Sequence, residues 1–411
     1  MLLPFREHHL LSCLQRYEEK KLPLDIVLRE YFRMNKSVGS HDRQVIAEGV
    51  YGMMRWRGLL DHLSSKPPSW EKRWALFQTV KPGDHLEDSE IPLHIRCSCP
   101  KDFFTLLTSH FGEEKASELS RIINTPAPTT VRVNTLKITR EALLEKWKNS
   151  AYKVSPCTCS STGIIFQKKE NFLGMAEFKE GLFEGQDEGS QLVAELVKAE
   201  PGQQVMDFCA GSGGKTLAIA SRLGHKGQIH LHDIRPHALD EARLRLKRAG
   251  VQNAQIHLNT STYLPRLKKA MHWVLADVPC SGTGTLRRNP DMKWRFDRAA
   301  LQQTLKQQRD IFQEALGFMR PDGRIVYATC SLLPEENEAQ IEYFIRTHKL
   351  EVEGECFKRL PTEGGMDGFF AAVLKNQASA ESDTKAEAKT DTSARKSSRK
   401  SAKKSTKKKK V

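Results

Sequence analysis

The sequence predicts an α/β protein whose larger part is a mostly parallel, doubly wound sheet, preceded by an all-α bundle and a small α+β module. Three observations carry this. From residue 185 onward, short apolar runs alternate with helical patterns. Before residue 65 the apolar spacing is three-and-four throughout. Stretches rich in Pro, Gly and Asp, such as "SSKPPSW" and "KPGDHLEDSEIP", separate the two textures.

Residues 1–65 read as helices. Leu10, Leu11, Leu14 and Tyr17 share one face, and Leu24, Val27, Leu28, Tyr31 and Phe32 repeat the spacing. A third helix, with Ser40 as its cap, carries Val45, Ile46, Val50 and Met53. Residues 66–100 read as a linker. Residues 101–184 read as a small α+β module: a helix to Asn124, an edge strand in "APTTVRVNTLK", a helix at "REALLEKWKN" and a strand at "GIIFQ". In residues 185–376 the strands are "QQVMDFCA", "QIHLHDI", "AQIHL", "HWVLADV", "RIVYATC" and "GFFAAVL". Residues 377–411 are Lys-rich without apolar periodicity and read as a disordered tail.

The totals narrow the function classes. No apolar run reaches the roughly 18–20 residues that span a bilayer, and charge interrupts the opening "MLLPFREHHLLSCLQ" before a signal-type core forms. A soluble, cytoplasmic protein with no membrane partner is expected. Nine cysteines, an odd number, suggest thiols rather than a disulfide framework. The pairs Cys97/Cys99 and Cys157/Cys159 are spaced more closely than zinc ligands usually are, so no metal site is expected. Lys and Arg total 65 against 50 Asp and Glu, a balance that suits a polyanionic partner without demanding one.

In a doubly wound sheet, ligands bind outside the carboxyl ends of the strands, and here those ends carry the chemistry. "DFCAGSGGKT" (207–216) follows a strand and opens a helix; its glycines let backbone approach a ligand closely. It is not a phosphate loop, because only two residues separate Gly211 from Gly214. Asp233 ends the next strand and suits the two hydroxyls of a ribose; its bland alternative is an acid capping the following helix. The two motifs together point to a nucleoside-containing cofactor.

The fourth strand ends in Asp277, Val278, Pro279 and Cys280, with a thiol where enzymes that methylate exocyclic amines of bases carry an aromatic residue. The fifth ends in "YATCSLLPEENE", so Cys330 should face the same pocket as Cys280 if strands four and five are neighbours. A pyrimidine carbon 5 is too weak a nucleophile for a methyl sulfonium until a thiolate adds at carbon 6. A carboxyl group such as Asp277 could then protonate ring nitrogen 3, and a second cysteine could assist release. Arg287, Arg288, Lys293 and Trp294 are candidates for holding phosphates and stacking on an unstacked base; the alternative is a basic solvated loop.

These residues resemble the RsmB/NOP family of S-adenosylmethionine-dependent RNA cytosine-5 methyltransferases, of the bacterial small-subunit ribosomal RNA methyltransferase B type. The resemblance rests on "RVNTLK" in part, "GQDEGSQLVA", "DFCAGSGGKT", "HDIRPHAL", "DVPCSGTGTLRRNPDMKW" and "YATCSLLPEENE", over roughly residues 100–375. It implies a Rossmann-like methyltransferase domain, Cys330 as nucleophile, Cys280 as product-release residue, and Asp277 near cytosine and cofactor. It also implies that Asp233 holds the cofactor ribose, and that Cys209, Ala210, Gly211, Ser212, Gly213, Gly214 and Lys215 hold its methionine part. Residues 101–184 are similar to the family's RNA-binding subdomain, and the N-terminal helices resemble a NusB-like bundle. The implied partner is RNA, most of all 16S ribosomal RNA, bound by a monomer. Two positions depart from the pattern: Gly211–Ser212 replace Ala-Pro, and Asn259 or Thr260 replaces an acid near the adenine. The tail would add salt-sensitive RNA affinity. The competing readings are a transfer RNA methyltransferase, a DNA cytosine methyltransferase using Cys280 as nucleophile, and a non-catalytic RNA-binding assembly protein.

Overall fold

The computed structural model describes residues 4–377; the expected tail lies outside the described residues. The chain opens with α1 (Phe5–Lys20), α2 (Leu24–Met34), α3 (Ser40–Leu63) and α4 (Trp70–Thr79). Leu10, Leu14, Val27, Val50, Met53 and Trp70 fill their shared core. Gly39 rather than Ser40 takes the cap position of α3, and Ser40 becomes its first helical residue.

Residues 66–100 are not a linker. Trp70, Trp74 and Phe77, at helical spacing, lay α4 against the bundle, and Arg73 of α4 pairs with Asp61 of α3 at 2.5 Å while stacking over Trp70. The Pro and Gly that suggested a boundary are confined to the turns on either side of this helix. Next come α5 (Leu93–Arg96), α6 (Lys101–Phe111) and α7 (Glu113–Ile123). Cys97, Cys99, Phe103 and Ile123 from this group pack with Leu286 and Leu332, which belong to strand-end loops of the large sheet. The helices read as part of the small module thus pack against strand-end loops of the large sheet.

The small module itself is a four-stranded antiparallel sheet. Its elements are β1 (Thr129–Val133), α8 (Arg140–Trp147), β2 (Val154–Pro156), β3 (Gly163–Phe166), α9 (Ala176–Lys179) and β4 (Phe183–Gly185), with strand order β2-β3-β1-β4. Trp147 meets Phe166 and Phe183 edge-on at 5.2 and 5.4 Å, an arrangement that adds to the burial of three large rings.

The rest comprises α10 (Glu188–Glu195), β5 (Gln204–Asp207), α11 (Gly214–Leu223), β6 (Gln228–His232), α12 (Pro236–Ala249), β7 (Ala254–His257), β8 (Met271–Asp277), α13 (Arg298–Leu316), β9 (Met319–Thr329), α14 (Glu338–His348), β10 (Leu350–Val352), β11 (Phe357–Arg359) and β12 (Phe369–Asn376). The strand order is β10-β12-β9-β8-β5-β6-β7, with β11 paired to β12. β5 to β9 run parallel, and β12 is antiparallel to β9. Helices cover both faces, so successive strand residues enter opposite cores: Leu275 one, Val274 and Ala276 the other. The winding reverses between β5 and β8, which places the ends of those two strands side by side at the position where such sheets bind ligands.

Candidate active site

A cleft of about 950 Å³ opens at that reversal. On one side it is lined by Cys209, Ala210, Gly211, Ser212, Gly214 and Lys215, between β5 and α11. Gly213 does not line it, but its φ of +78° turns the chain into the helix, and a Cβ there would press on Ala242 at 3.2 Å. Asp233, Asn259 and Asp277 complete the wall from the ends of β6, β7 and β8.

Asp233 accepts the Gly211 N–H at 2.8 Å and a two-pronged bond from Arg235 at 2.9 and 3.0 Å. Burial pushes its carboxyl up, but these hydrogen bonds outweigh that and hold it below its ordinary value. Asp207, which sequence reasoning passed over as the last strand residue, is buried, and one of its oxygens accepts the Thr216 hydroxyl while the other has no partner. Burial pushes its carboxyl up to about 7. A buried carboxylate oxygen without a donor, in the wall of a cleft, suits an incoming ammonium group.

These features fit S-adenosylmethionine. An acid stands at the ribose position, backbone with no Cβ flanks the loop, and the unpaired Asp207 oxygen can take the amino group of the methionine part. The cofactor would supply an electrophilic methyl group.

β8 and β9 deliver Cys280 and Cys330 just beyond Asp277, Val278 and Pro279 of the cleft wall, although neither of the two lines the cleft itself. Their strands pair Asp277 with Ala328, and the loops beyond are stitched together by Val278 N–H to Ala328 O at 3.0 Å and Gly284 N–H to Cys330 O at 2.8 Å. Gly284 cannot carry a side chain, since a Cβ would lie 2.2 Å from the Gly368 carbonyl and 2.8 Å from that of Cys330. Cys280 Sγ and Cys330 Sγ consequently stand 3.4 Å apart. The hydrogen bond shared with Cys280 is the main cause holding the Cys330 thiol below its ordinary value, with Lys215 adding to it against burial and Asp277. Cys280 is pushed well up by that same bond, then by burial and by the charges of Cys330 and Glu336. Lys215 bonds to Asp277 at 2.5 Å; burial lowers its ammonium, and the Asp277 charge outweighs burial to leave it raised.

Two of the downstream basic residues, Arg287 and Lys293, are buried where RNA does not reach them. Arg287 is fully buried and donates to Asp367, Thr362 O and Gly365 O. Lys293 is buried with all three donors used, by Arg55 O and Ser98 O at 2.7 Å and Asn124 Oδ1 at 2.5 Å. Trp294 donates to Met54 O at 2.7 Å and packs on the helical bundle. For Arg287 and Lys293 the expected RNA contact is corrected to internal anchoring: each finds acceptors in distant segments that a solvated loop lacks, while Trp294 is half-buried against the bundle. Arg288 does line the cleft, bonded to Asp187 at 2.8 Å and to Asp367.

Comparison with known proteins agrees with this geometry. Residues 194–375 match the family model for 16S rRNA methyltransferase RsmB/F, and residues 99–172 match the ferredoxin-like domain of RsmF/B-like methyltransferases. The chain is 30% identical over 314 residues to a probable ribosomal RNA small subunit methyltransferase B of Synechocystis, covering 71% of this chain and 69% of that one. It is 32% identical over 276 residues to ribosomal RNA small subunit methyltransferase B of Pseudomonas syringae, where it spans 60% of the relative. Among solved structures, that of PH0851 superimposes with a TM-score of 0.76 at 21% identity, over 92% of this chain and all of that one. A methyltransferase homolog from Pyrococcus horikoshii does so with 0.61 at 25% identity, over 69% and 97%. With a family model that spans the strand ends of the cleft and both cysteines, and a relative 30% identical over most of its length, the chain belongs to the RsmB/F family of 16S rRNA methyltransferases.

Proposed function

We propose that the chain transfers the methyl group of S-adenosylmethionine to carbon 5 of a cytosine in small-subunit ribosomal RNA, through a covalent bond to Cys330. The observation that carries this is the 3.4 Å approach of two thiols at neighbouring strand ends, one held down and the other pushed up. A thiolate that receives a hydrogen bond is a ready nucleophile.

In this reading the Cys330 thiolate adds to carbon 6, and the negative charge that develops on the ring is met at nitrogen 3 by a proton delivered through the Lys215–Asp277 pair. Carbon 5, now nucleophilic, takes the methyl group. Loss of the carbon-5 proton to solvent water restores the ring double bond as the Cys330 sulfur departs with the bonding pair, nitrogen 3 returns its proton to the Lys215–Asp277 pair, and the Cys280 S–H stabilises the departing thiolate by donating to it. The target base must be unstacked to reach these groups. Arg288 is the member of the downstream basic group placed to meet RNA, because its guanidinium lies at the cleft wall and is partly exposed.

The test is mass-spectrometric nucleoside analysis of small-subunit ribosomal RNA after incubation with the protein and labelled S-adenosylmethionine. Label in 5-methylcytosine is expected. Label appearing only on transfer RNA would overturn the substrate, and label in a different nucleoside would overturn the chemistry. No label on naked RNA or on assembly particles would favour a scaffold role.

A further inference from the structure

Glu336 lies fully buried six positions beyond Cys330, just ahead of α14. Its Oε1 accepts the Ser281 N–H at 2.8 Å and the Gln308 amide at 2.9 Å. Its Oε2 accepts the Ser281 and Ser331 hydroxyls at 2.5 Å each. Ser281 follows Cys280 in the chain and Ser331 follows Cys330, so one carboxylate fastens both cysteine loops. Four neutral donors occupy the oxygens, and no lysine or arginine is among them, so the negative charge is held in place without being cancelled. The backbone carbonyl of Glu336 is fixed as well, by the Tyr327 hydroxyl at 2.8 Å.

We infer that Glu336 is a positioning residue that decides which of the two thiols carries the proton: it clamps the Ser281 and Ser331 turns into one frame and sets a fixed negative charge against Cys280. Cys280 and Cys330 are chemically identical, and the 3.4 Å contact between them is symmetric in itself. The surroundings break that symmetry. The Glu336 charge is among the causes that push Cys280 up, whereas Lys215 is among those that hold Cys330 down. On this inference Cys280 is the donor in that contact and Cys330 the acceptor. Two hydroxyls and an amide find an acceptor in the same group.

The consequence for turnover rests on the proposed Cys330 nucleophile; the placement of the proton does not. The experiment is brief alkylation of the full chain with iodoacetamide, carried to low conversion, with the Cys280 and Cys330 peptides quantified by mass spectrometry. The reagent reacts with the thiolate. Cys330 should be labelled preferentially in the wild-type protein. In Glu336→Gln, which keeps the side-chain volume, that preference should fall by about tenfold, the change that one unit of relative pKa produces. The same variant should lose turnover number with the KM for S-adenosylmethionine unchanged. A folded Glu336→Gln with the wild-type labelling preference would overturn the inference. Ser281→Ala removes one hydroxyl donor and keeps the backbone bond, and should move the preference in the same direction by less. If Glu336→Gln does not fold, Ser281→Ala decides, and an unchanged preference there overturns the inference equally. A labelling preference that depends on Glu336 in a protein forming no Cys330–RNA adduct would sink the covalent mechanism alone.

Discussion

The Lys215 ammonium lies 2.5 Å from the Asp277 carboxylate, an ion pair that ties the first turn of α11 to the last residue of β8. It links the helix that follows the glycine loop to the strand that leads into the Cys280 loop, which is why the proposed mechanism uses it. Asp277→Asn keeps the shape and removes the charge. Single-turnover methylation should slow by about 100-fold or more, in the range of a lost acid–base group, while S-adenosylmethionine binding measured by calorimetry changes little. Equal losses in both would mean that Asp277 serves binding alone.

The thiol pair gives opposite phenotypes on removal. Cys330→Ala should form no covalent complex with RNA and no product. Cys280→Ala should accumulate a protein–RNA adduct visible as a shifted band on denaturing gels, because the departing thiolate loses its hydrogen-bond donor. An adduct in Cys330→Ala and none in Cys280→Ala would reverse the two roles and favour the DNA-type assignment.

Arg287 and Asp367 are both fully buried and paired at 2.7 Å. Asp367→Ala should destabilise the protein by roughly 3–5 kcal/mol, as expected when one member of a buried pair is left alone, read as a shift in the denaturant midpoint. Asp367 also holds Arg288, so part of the loss belongs to that second bond. A midpoint within error of wild type would show that the pair contributes nothing to the fold.

Lys293 offers a pH signature. Burial depresses its ammonium from 10.5 to about 7, so between those values the unfolded chain binds the proton more tightly than the folded one. Stability then rises with pH across that window. Lys293→Met should remove this slope. The Tm of the wild type relative to the variant is expected to climb from pH 7 to pH 10, and parallel profiles would mean that the folded lysine titrates normally.

Much of the catalytic domain was legible because its sheet is covered on both faces: six short apolar runs separated by helical patterns have few other arrangements. Asp233, Asp277, Cys280 and Cys330 stand out as candidates because strand ends in such sheets face the ligand. What escaped was decided by distant partners. Arg287 and Lys293 look like solvent-facing charges, as most Arg and Lys are; only Asp367, 80 residues away, and carbonyls at Arg55 and Ser98 make them internal. Glu336, in a run of acids before a helix, looks like first-turn charge, and its four donors come from three separate segments. The α4 helix was hidden by the prolines before it, although Trp70, Trp74 and Phe77 already carried helical spacing.

The segment from Arg287 to Trp294 has a mechanical consequence. It continues directly from the Cys280 loop, and it is bonded to the helical bundle at four points: Arg287 O to Arg55, Asp291 to the Leu24 N–H, Lys293 to Arg55 O and Trp294 to Met54 O. A fragment cut free of the bundle would be born with a buried cation stripped of an acceptor and an indole stripped of its seat, in the segment that continues from the Cys280 loop. The bundle therefore behaves as the keystone of the active-site arch rather than as a detachable handle.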